Sequence, residues 1–256
     1  MNPVLVKDVI IGEGIPKICV PIVEKTKEGI LNFAASLEDK VFDLVEWRAD
    51  WFEDVYEFEK SVEVIDELQD MLDVPILYTF RSTKEGGATP MAASQYRSMI
   101  NYIVSNSSVD MIDIEVFAFP NFAKELIDNA HNNAVIVVGS NHDFKDTPPQ
   151  EEIVRRLTHM QALGADIAKM AVMPKDKNDV LTLLAATEEM HLLHDDTPVI
   201  TMSMGPLGVI SRFSGEIFGS AVSFGSVGKT SAPGQMDSSD LYDMMEILHK
   251  SIGGDL

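Results

Sequence analysis

The sequence has few of the features that mark secreted or membrane proteins. It contains one cysteine, Cys19, so no disulfide can form within the chain, and its apolar neighbours predict a small buried side chain. No apolar run approaches the ~18 residues of a membrane span. The first residues lack the charged lead and long apolar segment of a signal peptide. We therefore expect a reduced, cytoplasmic protein with no membrane partner.

Positive charge is also scarce. There are 20 lysines and arginines against 41 acidic residues, so the formal net charge is −21 at pH 7. This excess argues against nucleic acid and anionic membranes as partners. It also repels an anionic substrate, although salt limits the repulsion to about 8 Å at physiological ionic strength. An anionic ligand therefore requires a local group of arginines.

Eight short apolar segments alternate with segments of helical periodicity. The predicted strands cover residues 17–23, 43–48, 75–80, 110–116, 134–139, 166–172, 198–203 and 221–225. The clearest predicted helices cover residues 59–72, 121–131, 148–163, 176–193 and 237–251, the last with Asp237 as its N-cap. Residues 1–16 are predicted to form a short strand pair with turns at Gly12 and Gly14.

This alternation predicts an α/β protein with a parallel sheet. Eight strand–helix units in 256 residues match the size of a closed (β/α)8 TIM barrel, which leaves no sheet edge. A doubly wound open sheet is the alternative that the pattern leaves open. Because no linker divides the chain, residues 1–256 are predicted to form a single barrel domain with a short N-terminal β-hairpin.

One predicted strand carries a lysine, Lys169, among apolar residues 167–172. Burial in apolar surroundings penalises the charged ammonium, and a neutral amine can attack a ketone. The ordinary alternative is a lysine that extends to solvent from a strand end. Lys169 is a candidate nucleophile if other strands bring functional groups to it.

Charged and polar side chains do follow the carboxyl ends of most predicted strands, where barrel enzymes have their functional groups. The segments are Glu46-Trp-Arg48-Ala-Asp50, Phe80-Arg-Ser-Thr-Lys-Glu-Gly-Gly87, Asp113-Ile-Glu115, Ser140-Asn-His-Asp-Phe144, Ser211-Arg212 and Ser231-Ala-Pro-Gly-Gln235. Each alone has an ordinary explanation, such as an ion pair or a turn. Their convergence on one rim around Lys169 predicts an active site.

Together with Ala168-Lys-Met170, these segments resemble the motifs of the type I 3-dehydroquinate dehydratases, the Schiff-base dehydroquinases of the shikimate pathway. The matching segments run from the second predicted strand to the last loop. The resemblance implies a TIM barrel that converts 3-dehydroquinate to 3-dehydroshikimate in chorismate biosynthesis, with no metal and no external cofactor. The family also suggests a homodimer.

The resemblance implies a role for each matching residue. Lys169 is expected to form an imine with the C3 ketone, His142 to act as general acid and base, and Glu85 to orient His142. The expected substrate ligands are Glu46, Arg48 and Arg81 at ring hydroxyls, Arg212 at the carboxylate, and Ser231 and Gln235 in the closing loop. The three arginines are expected to supply local positive potential and to disfavour the ammonium form of Lys169. Gly86-Gly87 and residues 228–234 are expected to order when substrate binds.

Two other site types use parts of this sequence. Residues 223–230 nearly match a phosphate loop, but a serine replaces its first glycine. His191 and His194 could share a helix face, but no third metal ligand has a recognisable spacing.

Three other functions are alternatives to the dehydratase. Glu46 and Glu115 could form a glycosidase pair, which leaves Lys169 without a role. A class I aldolase also uses a lysine imine, but such enzymes usually bind sugar phosphates. A non-catalytic binding protein would be expected to lack Lys169 or His142, and both are present.

Overall fold

The computed structural model describes residues 2–253, and its first element is the predicted N-terminal hairpin. Strands β1 (Val4–Val6) and β2 (Val9–Ile11) pair antiparallel. The turn between them lies at Lys7 and Asp8, with Lys7 at φ 49°, and not at Gly12 or Gly14, which follow the hairpin. Gly12 and Gly14 lie in the turn and bend that follow the hairpin, at φ 98° and 70°, so the turns predicted at these glycines are present.

Eight parallel strands follow and close into a barrel. They are β3 (Lys17–Ile22), β4 (Leu44–Arg48), β5 (Ile76–Thr79), β6 (Met111–Glu115), β7 (Ile136–Asp143), β8 (Ile167–Val172), β9 (Val199–Ser203) and β10 (Val222–Ser226). Each pairs with the next from β3 to β9, and β10 pairs with β3. The Val199–Ser220 bridge joins β9 to the segment before β10. The predicted TIM barrel is confirmed, and the open sheet is excluded.

Helices cover the outside of the barrel. They are α1 (Lys27–Ala35), α2 (Phe58–Met71), α3 (Ala93–Asn106), α4 (Pro120–Asn132), α5 (Gln150–Leu163), α6 (Lys177–Leu193), α7 (Ile210–Phe213), α8 (Gly215–Phe218) and α9 (Ser238–Ser251). The five helices predicted by residue range agree within two residues at each end, and Asp237 caps α9 by accepting from the Ser239 N–H. No helix within residues 2–253 is long and apolar enough to cross a membrane.

Several short elements follow the ends of the barrel strands. Single 3-10 turns cover Ala49–Trp51, Thr83–Glu85 and Pro206–Gly208, and a short strand β11 (Met236–Asp237) pairs parallel to β10. Strand β7 is longer than predicted: residues 140–143, assigned to a loop from their polarity, pair with residues 169–172 of β8. Polar side chains are tolerated there because they face functional partners at the barrel rim.

Side-chain alternation along β8 decides where Lys169 points. Ala168, Met170 and Val172 belong to the large core between sheet and helices, whereas Ile167 and Ala171 belong to a smaller core inside the barrel. Because successive side chains of a strand face opposite sides, Lys169 lies on the interior side with Ile167 and Ala171. The apolar residues next to Lys169 in sequence therefore face mostly away from it.

The interior core fills the amino end of the barrel. Val6 and Ile11 of the hairpin pack there against Leu44 and Met111, which begin β4 and β6. Cys19 is part of the same core and is fully buried, as predicted, and burial raises the pKa of its thiol well above the usual value. The hairpin thus closes one end of the barrel and leaves the other for the site.

Three aspartates hold the starts of alternate strands. Each precedes a barrel strand and accepts a backbone N–H from a neighbouring strand: Asp43 from Ile18 at 2.7 Å, Asp110 from Ile76 at 2.8 Å and Asp166 from Val137 at 2.7 Å. A buried N–H at a strand start needs such a partner. These bonds stabilise the floor on which the functional rim is built.

Candidate active site

A cavity opens at the carboxyl ends of the barrel strands, with about 430 Å³ of empty space that includes the part open to solvent. Every predicted site residue except Arg212 lines it: Glu46, Arg48, Arg81, Glu85, His142, Lys169, Ser231 and Gln235. Its remaining wall is mostly apolar and consists of Gly86, Phe144, Ala171, Met202, Met204, Phe224 and Ala232. The fold therefore brings residues from five strands, from the loop after β5 and from the last loop into one pocket, as the barrel rule predicts.

Lys169 is 3% exposed and lies deep in this cavity. Its Nζ is 3.2 Å from Glu46 Oε1, 3.6 Å from Asp113 Oδ2, and 4.4 Å from the ring centroid of Phe224. These surroundings differ from the apolar setting that the sequence predicted, because the apolar strand neighbours point elsewhere. An amine in such ion pairs must lose a proton before it can attack a carbonyl, so the site needs a base.

A base is present in the Glu85–His142 pair. Glu85 Oε2 accepts from the His142 backbone N–H at 2.8 Å and lies 3.0 Å from His142 Nδ1. Burial, followed by the nearby Arg81 and Lys169 charges, holds the pKa of His142 well below its usual value. The imidazole is therefore neutral near neutral pH, which is the form that accepts a proton.

The Glu85 carboxyl is buried as well. Burial and the neighbouring Glu115 raise its pKa above the usual value, while Arg81 and the Asn141 N–H oppose that rise. Glu85 also accepts from Asn141 Nδ2 at 2.9 Å. The carboxyl thus has donors on both oxygens, and its orientation toward His142 is set.

Arg81 lies in a buried network of carboxylates. It donates to Asp113 Oδ2 at 2.7 Å, to Glu115 Oε1 at 3.0 Å and to Ser140 Oγ at 2.9 Å. Burial alone raises the pKa of Asp113, but the Arg81 and Lys169 charges outweigh it, so the pKa lies below its usual value. Arg81 therefore neutralises carboxylates at the floor of the site.

Arg48 is paired in the same way. Its Nε and Nη2 donate to the two oxygens of Asp50 at 2.7 and 2.9 Å, a bidentate pair. Asp50 also accepts the Ala88 N–H at 2.9 Å. Arg48 and Arg81 therefore both have carboxylate partners, which offset part of the positive potential predicted from the three arginines.

Arg212 is different. It lies in α7, is 2% exposed, and donates from Nη2 to the Pro233 carbonyl at 2.9 Å. Its Nε and Nη1 have no partner within residues 2–253, and burial lowers its pKa to about 10. It does not line the cavity, but Pro233 belongs to the loop that does. A buried guanidinium with free donors can bind a carboxylate.

The last loop carries Ser231 and Gln235. Gln235 Oε1 accepts the Ser231 N–H at 2.7 Å, and its Nε2 donates to Ser231 Oγ at 3.0 Å. Lys229 Nζ also lies 2.6 Å from Glu24 Oε1, which ties the loop to the segment after β3. Gln235 therefore shapes its own loop over the cavity.

The glycines beside Glu85 serve close packing. Gly86 has φ +85°, and a Cβ there would lie 2.4 Å from the Phe144 ring. At Gly87 a Cβ would lie 1.7 Å from the Arg81 carbonyl oxygen. The sequence predicted a mobile pair. The structure gives a second reason for glycine at these positions, because a Cβ would overlap neighbouring atoms at both of them.

Several site residues had no role in the sequence analysis. Asp50 and Asp113 were present in the matched segments, and their positions at strand ends were the available signal. For Phe224 the available signal was the alternation of side chains along β10, which places it on the interior side of the barrel. Arg156, which contacts Asn141 from α5, carries no sequence signal, because it lies on an outer helix.

Comparison with known proteins agrees with this geometry. The family model described as Type I 3-dehydroquinase matches residues 18–252. The 3-dehydroquinate dehydratase of Listeria monocytogenes serotype 4b is 49% identical over 251 residues, 98% of this chain and 99% of that protein. That of Clostridioides difficile is 48% identical over 250 residues, 97% of this chain and 98% of that protein.

A solved structure shows the same likeness in three dimensions. The crystal structure of type I 3-dehydroquinate dehydratase from Clostridium difficile, described as carrying covalently modified comenic acid, has a TM-score of 0.94 and 47% identity and covers 98% of both chains. That of the enzyme from Enterococcus faecalis has a TM-score of 0.90 and 44% identity, and covers 96% of this chain and 99% of that one. The chain belongs to the type I 3-dehydroquinase family.

Proposed function

We propose that this chain is a 3-dehydroquinate dehydratase that removes water from 3-dehydroquinate to give 3-dehydroshikimate, through an imine on Lys169, in chorismate biosynthesis. One observation carries the proposal. Lys169 and the Glu85–His142 pair line a single cavity, so a nucleophilic amine and a neutral imidazole face the same bound molecule. Membership of the type I family supports the same reaction.

The first step forms the imine. His142 takes the proton that the Lys169 ammonium must lose, and the freed amine attacks the C3 carbonyl to give a carbinolamine. His142 then returns the proton to the carbinolamine hydroxyl, which leaves as water, and an iminium remains on Nζ. Glu46 and Asp113 lie 3.2 and 3.6 Å from Nζ and stabilise the positive charge that the iminium retains. The iminium withdraws electrons from C2 and acidifies the C2–H bond.

The second step removes water. His142 Nε2 takes the C2 proton while its Nδ1–H donates to Glu85. The same proton then goes to the departing C1 hydroxyl, which leaves as water. Hydrolysis of the conjugated imine returns the ketone product and the free Lys169 amine. No electrons are gained or lost by the protein.

Binding uses the remaining residues. Arg212 takes the substrate carboxylate at its free Nε and Nη1, because it is the predicted arginine without a carboxylate partner within residues 2–253. Glu46, Arg48 and Arg81 bind ring hydroxyls from the cavity wall. Ser231 and Gln235 cover the substrate from the last loop.

We further propose that residues 1–256 form one domain and that the chain acts in the cytoplasm as a homodimer. The resemblance to the family supports the dimer and the location, and the single barrel sheet supports the one domain. Sedimentation velocity measures the assembly: a species of about twice the chain mass of 28.3 kDa supports the homodimer, and a monomer at all concentrations overturns it.

The experiment for the reaction is borohydride trapping. Intact mass and peptide mapping after addition of 3-dehydroquinate and borohydride should find one adduct, on the peptide that contains Lys169. Lys169→Arg, which keeps the charge but cannot form the imine, should give neither adduct nor turnover. His142→Ala should retain some adduct and lose turnover. An adduct that persists in Lys169→Arg shows that another amine is the nucleophile. Carbon–carbon cleavage instead of water loss supports the aldolase alternative.

A further inference from the structure

Four side chains connect the outer helix α5 to the proposed general base. Arg156 Nη1 donates to Asn141 Oδ1 at 3.0 Å, and Asn141 Nδ2 donates to Glu85 Oε1 at 2.9 Å. Glu85 Oε2 lies 3.0 Å from His142 Nδ1. Asn141 is 6% exposed, so its bond to Glu85 is buried, whereas the bonds at the Arg156 and His142 ends are partly buried. The reaction scheme above uses Glu85 and His142 and leaves Asn141 and Arg156 without a role.

The direction of each hydrogen bond follows from the chemistry of the groups. A guanidinium only donates, so it can contact only the oxygen of the Asn141 carboxamide. The Asn141 NH₂ group must then face Glu85 and donate to it. Without Arg156, the carboxamide can rotate by about 180° and present its oxygen to Glu85. Arg156 therefore favours the orientation in which Asn141 donates to Glu85, and it adds to the preference of an ionised Glu85 for the same NH₂ group.

We propose that Arg156 is a positioning residue for the dehydration: it orients Asn141 to donate to Glu85, which keeps Glu85 an acceptor for the His142 Nδ1–H and leaves His142 Nε2 free to take the C2 proton. The inference deepens the proposed function and rests on it. A Glu85 that holds a proton donates to Nδ1 instead. The imidazole proton then moves to Nε2, and His142 can no longer act as the base.

The charges around Glu85 make this donation important. Burial and Glu115 raise the pKa of Glu85, whereas Arg81, whose Nη1 lies 3.8 Å from Oε2, and the Asn141 N–H lower it. On the other side of the pair, Arg81, Lys169 and Arg48 face His142 and favour its neutral form. Loss of one donor from Glu85 therefore favours the protonated carboxyl.

The surroundings of Arg156 hold it in place from outside the barrel. Its Nε donates to Glu152 Oε1 at 2.7 Å, its Nη1 lies 3.8 Å from Asp143 Oδ2, and its guanidinium lies 5.9 Å from the Phe117 ring centroid. The Arg156 side chain is 22% exposed, whereas that of Arg155, which pairs with the same Glu152, is 60% exposed. Arg155 is thus a matched control that shares the helix, the charge and the partner.

The test compares Arg156→Met with Arg155→Met. We expect Arg156→Met to lower kcat by about 10- to 100-fold, a fraction of the ~10²–10⁴-fold that a general base supplies, with KM within twofold. The acidic limb of its pH profile should move to higher pH. Arg155→Met should match the wild type. Arg156→Lys, which can still donate to Asn141, should recover most of the activity. If Arg156→Met matches Arg155→Met, the proposal is overturned.

A double-mutant cycle separates this role from a general structural one. Adding Arg156→Met to Asn141→Ala should change kcat by less than twofold, because Arg156 acts through Asn141. Additive losses in the cycle contradict the proposal. Nitrogen chemical shifts of His142 should show the Nδ1–H tautomer in the wild type and more of the Nε2–H tautomer in Arg156→Met. If Arg156→Met melts well below the wild type, Asn141→Asp replaces the cycle as the test, because it keeps the side-chain shape and removes the donor to Glu85. It should then lower kcat and move the acidic limb to higher pH, and an unchanged kcat and pH profile contradict the proposal.

Borohydride trapping distinguishes failure of this inference from failure of the proposed function. A wild type without adduct and without turnover of 3-dehydroquinate refutes the proposed function. A wild type that turns over while Arg156→Met keeps its rate, pH profile and tautomer refutes the role of Arg156 alone.

Discussion

The guanidinium of Arg212 donates to the Pro233 carbonyl at 2.9 Å, and this contact joins α7 to the loop that carries Ser231 and Gln235. Arg212 Nε and Nη1 are buried and have no partner in the described part of the chain, residues 2–253. If a substrate carboxylate binds to these nitrogens, the Arg212 side chain contacts both the substrate and the covering loop. Under the proposed function, the substrate carboxylate is the partner that these two nitrogens lack within the described residues.

We predict that Arg212→Met improves stability and impairs binding. A methionine removes a buried, incompletely bonded charge, so the free energy of unfolding should rise by about 1–3 kcal/mol, measured by urea titration. KM for 3-dehydroquinate should rise by about 100-fold, since the lost bonds join two charged groups. Arg97→Met, which removes an exposed arginine paired with Glu125, controls for the change in net charge. A destabilised Arg212→Met with normal KM contradicts both parts.

The ion pair between Asp113 and Lys169 is expected to affect the pH at which the protein unfolds in acid. The pKa of Asp113 lies below 3.8, the usual value, because the Arg81 and Lys169 charges outweigh the effect of burial. A carboxyl with a lowered pKa in the folded state contributes stability above its unfolded pKa, and that stability is lost as the pH falls through the folded value. Removing one of these two positive charges should therefore raise the pH at which the protein unfolds in acid.

Lys169→Met should accordingly raise the midpoint pH of acid unfolding by several tenths of a unit or more, because one of the two cations next to Asp113 is gone. Lys169→Arg should keep the midpoint near that of the wild type. Circular dichroism during acid titration measures both. Lys124→Met, which removes an exposed lysine, controls for net charge. Equal midpoints for Lys169→Met and Lys169→Arg would show that the ion pair does not stabilise the fold.

Gln235 offers a test of the covering loop. Gln235→Ala removes the acceptor of the Ser231 N–H and the donor to Ser231 Oγ, so the loop should open. We expect faster tryptic cleavage after Lys229, and a KM about tenfold higher because one to two hydrogen bonds that shape the loop are lost. Gln235→Glu keeps the acceptor and should be cleaved slowly, like the wild type.

Cleavage after Lys145, in the loop between β7 and α5, is the internal control and should not change. Saturating ligand should slow cleavage after Lys229 in the wild type, which is the expected ordering of residues 228–234. Unchanged cleavage with ligand would argue against loop closure.

Much of the fold could be predicted because its signals are local. Strand and helix periodicities extend over a few residues, and the barrel followed from eight strand–helix units. The exception was the length of β7. Pairing of His142 with Ala171 extends β7 into residues whose polarity predicted a loop, and pairing is a tertiary property.

The sequence by itself determined the barrel and the strand ends at which functional residues lie, because the strand–helix alternation is local. The resemblance of its motifs named the nine candidate residues, and eight of them line the cavity. Only the tertiary structure decided what surrounds them. Lys169 and Glu46 are 123 residues apart in sequence, yet their side chains lie 3.2 Å apart. Contacts of this kind decide that Arg48 and Arg81 have carboxylate partners, whereas Arg212 Nε and Nη1 have no partner within residues 2–253, since the state of a charge depends on its neighbours in space.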